Sequence, residues 1–181
     1  MKAKRLLLLL MIGFMTCIHV LVAQSKEEKK ELKAKQVKEL VEAKDFKITV
    51  DRVLPMKGRS RSLTSEYTLT IRNDSVFSHL PYFGQAYSLP YGGGVGMIFK
   101  APVSEYKQSY NKKGTAQIYF RTRSSDDTHQ FNVQVFPNAS VTIMVTSINR
   151  QGITYYGTLD LTEETKEKRY APDKRLFLSS V

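Results

Sequence analysis

From Phe46 to Leu161 the chain consists of short segments in which apolar and polar residues alternate. Phe46, Ile48 and Val50 alternate with polar neighbours, and the segment 67–72 repeats the pattern. Alternation with a period of two is typical of a β-strand that has one buried face and one wet face. The predicted strands span residues 46–51, 67–72, 75–80, 103–110, 116–123, 128–136, 141–147 and 153–161.

Turn-forming residues separate these segments, and no helical pattern intervenes. The turn signals lie at 73–74, 111–114, 124–127, 137–138 and 149–152. Short links between about eight strands favour an antiparallel architecture, either a β-sandwich or a flattened barrel. We therefore predict an all-β fold with a single antiparallel β domain over residues 46–161, and the pattern does not distinguish the sandwich from the barrel.

Residues 24–45 are predicted to form one charged N-terminal helix. Ser25 and Glu28 fit a capping box, and Ala34, Val37 and Leu40 belong to a narrow apolar stripe. This stripe is expected to dock weakly on the β domain. The alternative is a free, frayed leader, because short isolated helices are marginal in water.

Residues 1–23 have the pattern of a cleaved signal peptide. Basic residues at the start precede an apolar run that ends at Val22, and the small Ala23 precedes a polar stretch. Cleavage is predicted between Ala23 and Gln24, which places the mature protein in the periplasm or outside the cell. The alternatives are an uncleaved membrane anchor and a lipid anchor at Cys17, although the residues before Cys17 do not resemble the usual lipoprotein sequence.

Export changes both the charge and the chemistry of the chain. Residues 1–23 carry three basic and no acidic side chains, so the formal net charge falls from +11 to +8. The single cysteine is lost as well, which removes disulfides, a thiolate nucleophile and cysteine metal sites from the mature chain. Residues 162–181 are predicted to be a charged, solvated C-terminal tail, because residues 162–175 are mostly charged. Nucleic acid is not expected as a partner of an exported protein.

Residues 80–102 differ from the rest because they are rich in glycine, proline and aromatic residues. This composition favours a long, ordered loop that carries large flat contact surfaces. Such a loop either plugs one end of the β domain or binds a ligand or partner. The candidate binding residues are Tyr82, Tyr87, Tyr91, Gly92, Gly93 and Gly94.

The same segment resembles a known family. Leu-Pro-Tyr-Phe-Gly at 80–84, Ala-Tyr at 86–87, Pro-Tyr-Gly-Gly-Gly at 90–94 and Phe-x-Ala-Pro at 99–102 are similar to an uncharacterised family of secreted Bacteroidota proteins, domain of unknown function 4251. The resemblance covers about residues 27–161. It implies an all-β domain in a Gram-negative envelope, and it brings no activity and no catalytic residues.

Few residues carry a signal for chemistry. His79 and His129 are the histidines that remain after cleavage, and no motif for a nucleophile, a metal site or a cofactor is present. Lys57, Arg59 and Arg61 form a basic cluster that either meets phosphate or carboxylate groups or is a solvated loop.

The sequence thus predicts a non-catalytic binding or interaction domain whose partner is an envelope component or another envelope protein. The alternatives are a structural or assembly accessory protein of the envelope and an unrecognised enzyme, such as a hydrolase.

Overall fold

The computed structural model describes residues 26–88, 96–125 and 127–161. The predicted signal peptide with its cleavage site and the predicted C-terminal tail lie outside these residues. Tyr91, Gly92, Gly93 and Gly94 also lie outside them. Every structural statement below concerns the described residues.

Helix α1 covers residues 26–42. It ends where Lys44 adopts a φ of 51°, a left-handed conformation that is common at helix C-termini. Asp45 already belongs to the first strand, so the helix is shorter than the predicted 24–45. Val37 and Val41 of α1 are part of the buried apolar cluster, which makes the helix a packed element and not a free leader.

Eight antiparallel strands follow the helix, as the alternation predicts. They are β1 (Asp45–Pro55), β2 (Arg61–Arg72), β3 (Ser75–Pro81), β4 (Gly96–Tyr110), β5 (Ala116–Arg123), β6 (Thr128–Val135), β7 (Ser140–Ser147) and β8 (Ile153–Leu159). Each strand pairs with the next, and β1 pairs with β8, so the sheet is a closed barrel. The predicted all-β class is confirmed, and the closure answers the question that the sequence left open.

Three strand boundaries differ from the prediction by more than two residues. Strand β1 continues to Pro55 and does not end at residue 51. Strand β2 begins at Arg61 and not at Tyr67. Five of its first six residues are polar and only Leu63 is apolar, so the segment shows no alternation. Strand β4 begins at Gly96, so residues 96–102 belong to the barrel wall and not to the loop. The predicted loop 80–102 is therefore too long by this segment. Met97 and Ala101 are buried on the inner face of β4.

Large apolar side chains fill the interior of the barrel. Phe120 of β5 and Phe131 of β6 stack with ring centroids 4.8 Å apart, and Phe46 and Tyr155 are fully buried from β1 and β8. At the seam, β8 approaches β1 so closely that a Cβ atom on Gly157 would collide with the carbonyl oxygen of Thr49. Glycine at this position is what permits the close approach of the two backbones.

Because each strand is antiparallel to the next, successive connections lie alternately at the two ends of the barrel. Residues 43–44, 73–74, 111–115 and 136–139 connect elements at one end, which we call the helix end. There Lys44 Nζ lies 4.5 Å from the ring centroid of Tyr106, and Lys38 Nζ lies 5.9 Å from that of Tyr110. The β1–β2, β3–β4, β5–β6 and β7–β8 connections lie at the other end, which we call the loop end.

Candidate binding surface at the loop end

The described part of the β3–β4 connection crosses the loop end and pairs with the β7–β8 connection. The backbone N–H of Tyr87 donates to the carbonyl oxygen of Asn149 at 2.8 Å, and the N–H of Gln151 donates to that of Gln85 at 3.0 Å. These bonds frame an isolated antiparallel bridge between Ala86 and Arg150. Since β3–β4 and β7–β8 belong to opposite sides of an eight-stranded barrel, the bridge spans its mouth.

The Tyr82 side chain contacts both of the connections that form this crossing. Its hydroxyl lies 2.9 Å from the carbonyl oxygen of Gln85 and 3.0 Å from that of Gln151. The guanidinium of Arg150 lies 5.3 Å from the centroid of the Tyr82 ring, within the range of a cation–π interaction. Burial raises the pKa of the Tyr82 hydroxyl above its ordinary value. Of the two roles open to the loop, these contacts within the chain favour that of the plug for Tyr82.

Arg150 and Tyr155 complete the closure beneath Tyr82. Arg150 is only 6% exposed, and its Nη1 donates to the carbonyl oxygen of Gly96 at 3.1 Å. The buried Tyr155 hydroxyl donates to the carbonyl oxygen of Pro81 at 2.6 Å. Both side chains thus pair with backbone carbonyls at the bases of β3 and β4, where the loop leaves the barrel wall. Sequence reasoning missed Arg150, because a basic residue in a turn is ordinarily solvated.

Four large apolar side chains lie exposed above this closure, and we call them the apolar rim. Met56 of the β1–β2 connection is 67% exposed, Phe83 and Tyr87 of the β3–β4 connection are 37% and 66% exposed, and Ile148 of the β7–β8 connection is 72% exposed. Hydrogen bonds tie Tyr87 to the residue that follows Ile148. The Cε methyl of Met56 lies near Gly152, so the three connections adjoin. Tyr87 therefore differs from Tyr82, because its ring faces solvent.

The predicted basic cluster adjoins the apolar rim. Lys57 and Arg59 lie exposed in the β1–β2 connection, and Arg61 is the exposed first residue of β2. The guanidinium of Arg61 lies 5.3 Å from the centroid of the Phe83 ring, which joins the cluster to the loop. The structure thus brings together two features that are well separated in the sequence.

Asp127 is a described carboxylate at the loop end, and it is buried. Its Oδ1 accepts the backbone N–H groups of Thr128 at 2.7 Å, Ile148 at 3.2 Å and Asn149 at 3.3 Å. A carboxylate with these donors is engaged in holding the β7–β8 connection in place. The Asp127 carboxylate is therefore buried, whereas Lys57, Arg59 and Arg61 are exposed to solvent.

His129 is buried in the barrel wall below the same connections. Its Nδ1 lies 2.7 Å from Ser147 Oγ, its Nε2 lies 3.4 Å from Ser124 Oγ, and its ring stacks on Phe99 with centroids 4.8 Å apart. These contacts join β4, β6 and β7. His79 is exposed and lies beside Tyr67, 5.5 Å between ring centroids. Among the described residues, no three His, Cys, Asp or Glu side chains are grouped closely enough to hold a metal ion.

Other concavities lie away from the loop end. One of about 490 Å³ is on the outer wall of β4–β6, one of about 580 Å³ lies between α1 and the turn at Gly114, and one of about 440 Å³ lies along α1. The linings of the first two contain no carboxylate and no histidine. The third is lined by Glu28, Glu31, Leu32 and Lys35, which are exposed side chains of one helix. Within residues 26–88, 96–125 and 127–161 there is also no helix with the length and apolar character to cross a bilayer.

Comparison with known proteins agrees with the resemblance seen in the sequence. Residues 28–159 match the profile of the domain of unknown function DUF4251. The crystal structure of a DUF4251 family protein from Bacteroides eggerthii DSM 20697 has a similar fold, with a TM-score of 0.58 and 19% sequence identity. That match covers 71% of this chain and 87% of the other. A comparison with curated proteins finds no match. Since the profile spans most of the sequence, the chain belongs to the DUF4251 family.

Proposed function

We propose that this protein is an exported component of the cell envelope whose barrel is a non-catalytic binding domain, and that it binds its partner with the loop end. The observation that carries the proposal is the apolar rim next to the basic cluster. Exposed apolar side chains that are grouped on one surface are characteristic of interaction sites. The binding residues are Met56, Phe83, Tyr87 and Ile148, with Lys57, Arg59 and Arg61 beside them.

The construction of the loop end supports a binding role. The bridge at Ala86 and the contacts of Tyr82 hold the base of the loop, so Tyr87 is presented from a fixed backbone. A preorganised surface loses less conformational entropy when a partner binds. The export pattern of residues 1–23 supports the envelope as the place where that partner is met.

Site-specific photo-crosslinking in the native host tests this proposal. A benzoylphenylalanine residue replaces Tyr87 in one strain and Met144, which lies exposed on the outer wall at β7, in a matched control strain. We expect a crosslink to an envelope component from position 87 and none from position 144. Equal crosslinking from both positions, or none from position 87, would contradict the proposal and favour a structural role without a partner at this end.

A further inference from the structure

Exposed apolar surface is concentrated at one end of the molecule. Of the eight large apolar side chains that are exposed among the described residues, four form the apolar rim. They come from three different connections, and Met56 and Ile148 directly follow β1 and β7. All four side chains therefore lie at the same end of the barrel.

In the described parts of the three connections that carry the rim, the charged side chains are all cationic. Lys57 follows Met56 directly, Arg59 lies in the same connection, and Arg61 contacts Phe83. The described acid at this end, Asp127, is buried against backbone N–H groups. The described surface at the loop end therefore combines exposed apolar side chains with adjoining cationic ones.

We propose that the loop end docks on a lipid bilayer with anionic head groups. This inference rests on the proposed function, in which the loop end is the binding surface. The rim side chains enter the boundary between head groups and acyl chains, and Lys57, Arg59 and Arg61 meet lipid phosphates. Apolar groups flanked by cations are the combination that binds such an interface, because hydrophobic burial and electrostatic attraction add.

The composition of the rim favours a bilayer over a protein partner. In protein interfaces the anchor side chains fill well-packed pockets on one particular partner. Met56, Phe83, Tyr87 and Ile148 differ in shape and extend from separate connections, and lipid accommodates any shape. The Tyr87 ring also carries a hydroxyl, and tyrosine is favoured at bilayer interfaces because its ring is apolar and its hydroxyl stays wet.

Vesicle co-sedimentation of the chain that begins at Gln24 tests the proposal. One set of vesicles is an equimolar mixture of phosphatidylethanolamine and phosphatidylglycerol, and the other is phosphatidylcholine alone. We expect binding to the first set that weakens with added salt, because salt screens attraction to the anionic surface. Since each cation near such a surface contributes about five-fold in affinity, K57Q/R59Q should lower binding by about thirty-fold. The matched control K112Q/K113Q removes two charges at the helix end and should leave binding unchanged.

Insertion of the rim is measured with single labels, which is possible because the chain after residue 23 has no cysteine. Ile148→Cys and the wall control Met144→Cys each carry an environment-sensitive nitrobenzoxadiazole dye. On addition of the anionic vesicles, we expect a blue shift of dye emission at position 148 and none at position 144. Tyr87→Ala should lower vesicle binding, whereas Met144→Ser should not.

The outcomes separate this inference from the proposed function. No vesicle binding, or a blue shift at both labelled positions, overturns docking on a bilayer. If vesicles do not bind but position 87 crosslinks to an envelope protein in cells, the bilayer is wrong and the loop end remains a binding surface. If position 87 crosslinks to nothing and vesicles do not bind, both proposals fail.

Discussion

Replacement of Tyr82 and of Tyr87, one at a time, distinguishes a residue that stabilises the β3–β4 connection from one that is only exposed on its surface. Tyr82 is half-buried, its hydroxyl contacts two carbonyl oxygens, and its ring faces Arg150. Truncation of a fully buried aromatic residue costs roughly 3–5 kcal/mol. Because the Tyr82 ring is only partly buried, we expect Tyr82→Ala to lower the free energy of unfolding by about 2–3 kcal/mol.

Tyr87 provides the matched comparison from the same loop. Its ring is mostly exposed, and its backbone N–H bond to Asn149 survives truncation of the side chain. Surface substitutions of this kind change stability by less than about 0.5 kcal/mol. Tyr82→Phe isolates the hydroxyl and should cost about 1 kcal/mol.

Urea denaturation followed by far-ultraviolet circular dichroism measures these differences. If the free energy of unfolding depends on urea concentration with the same slope in every variant, the substitutions alter stability and not the surface exposed on unfolding. In thermal melts, Tyr82→Ala should lower Tm by roughly 5–10 °C, since 1 kcal/mol corresponds to about 2–4 °C for a chain of this size. If Tyr82→Ala and Tyr87→Ala are equally stable, the assignment of Tyr82 as the plug and Tyr87 as surface is wrong.

Three further predictions concern other parts of the chain. Intact mass and N-terminal sequencing of the exported protein should show a start at Gln24, and a start at an acylated Cys17 would contradict the proposed processing. Val41→Ala should lower the free energy of unfolding by about 2 kcal/mol in urea denaturation because Val41 is fully buried, and the exposed Leu32→Ala on the same helix should change it by less than about 0.5 kcal/mol. Burial raises the pKa of the Tyr106 hydroxyl from 10.0 to about 12, so the unfolded chain releases this proton first and stability should fall between about pH 10 and 12. Melting curves across that range should fall less steeply for Tyr106→Phe than for the unaltered chain.

The strands could be predicted because local chemistry specifies their ends. Asn73 adopts a φ of 51° in the turn between β2 and β3, a conformation that asparagine tolerates well. Alternation then places the buried faces, as in the segment Phe46–Val50. The pattern fails where a single apolar residue stands among polar ones, as at the start of β2, and where glycine and proline surround a strand, as at the start of β4.

Closure of the barrel could not be predicted, because it depends on a pairing between the first and the last strand. The sequence carries one trace of it in Gly157, which interrupts an otherwise regular strand. Isolated glycine inside a strand indicates a close backbone approach, and here the approach is between β8 and β1. No local pattern states which strand the neighbour is, so the sandwich and the barrel remained equal alternatives.

The apolar rim depends on the same closure. Met56 and Ile148 are single apolar residues in turns that are far apart in the sequence, and each alone is an ordinary exposed side chain. They adjoin because β1 pairs with β8, which brings the β1–β2 connection beside the β7–β8 connection. Closure also fills the interior with large side chains, and α1 packs its valines at the other end. Residues at the loop end beyond the closure, such as Tyr87, can therefore change without repacking the core, which makes this end the part of the fold best suited to acquire a binding function.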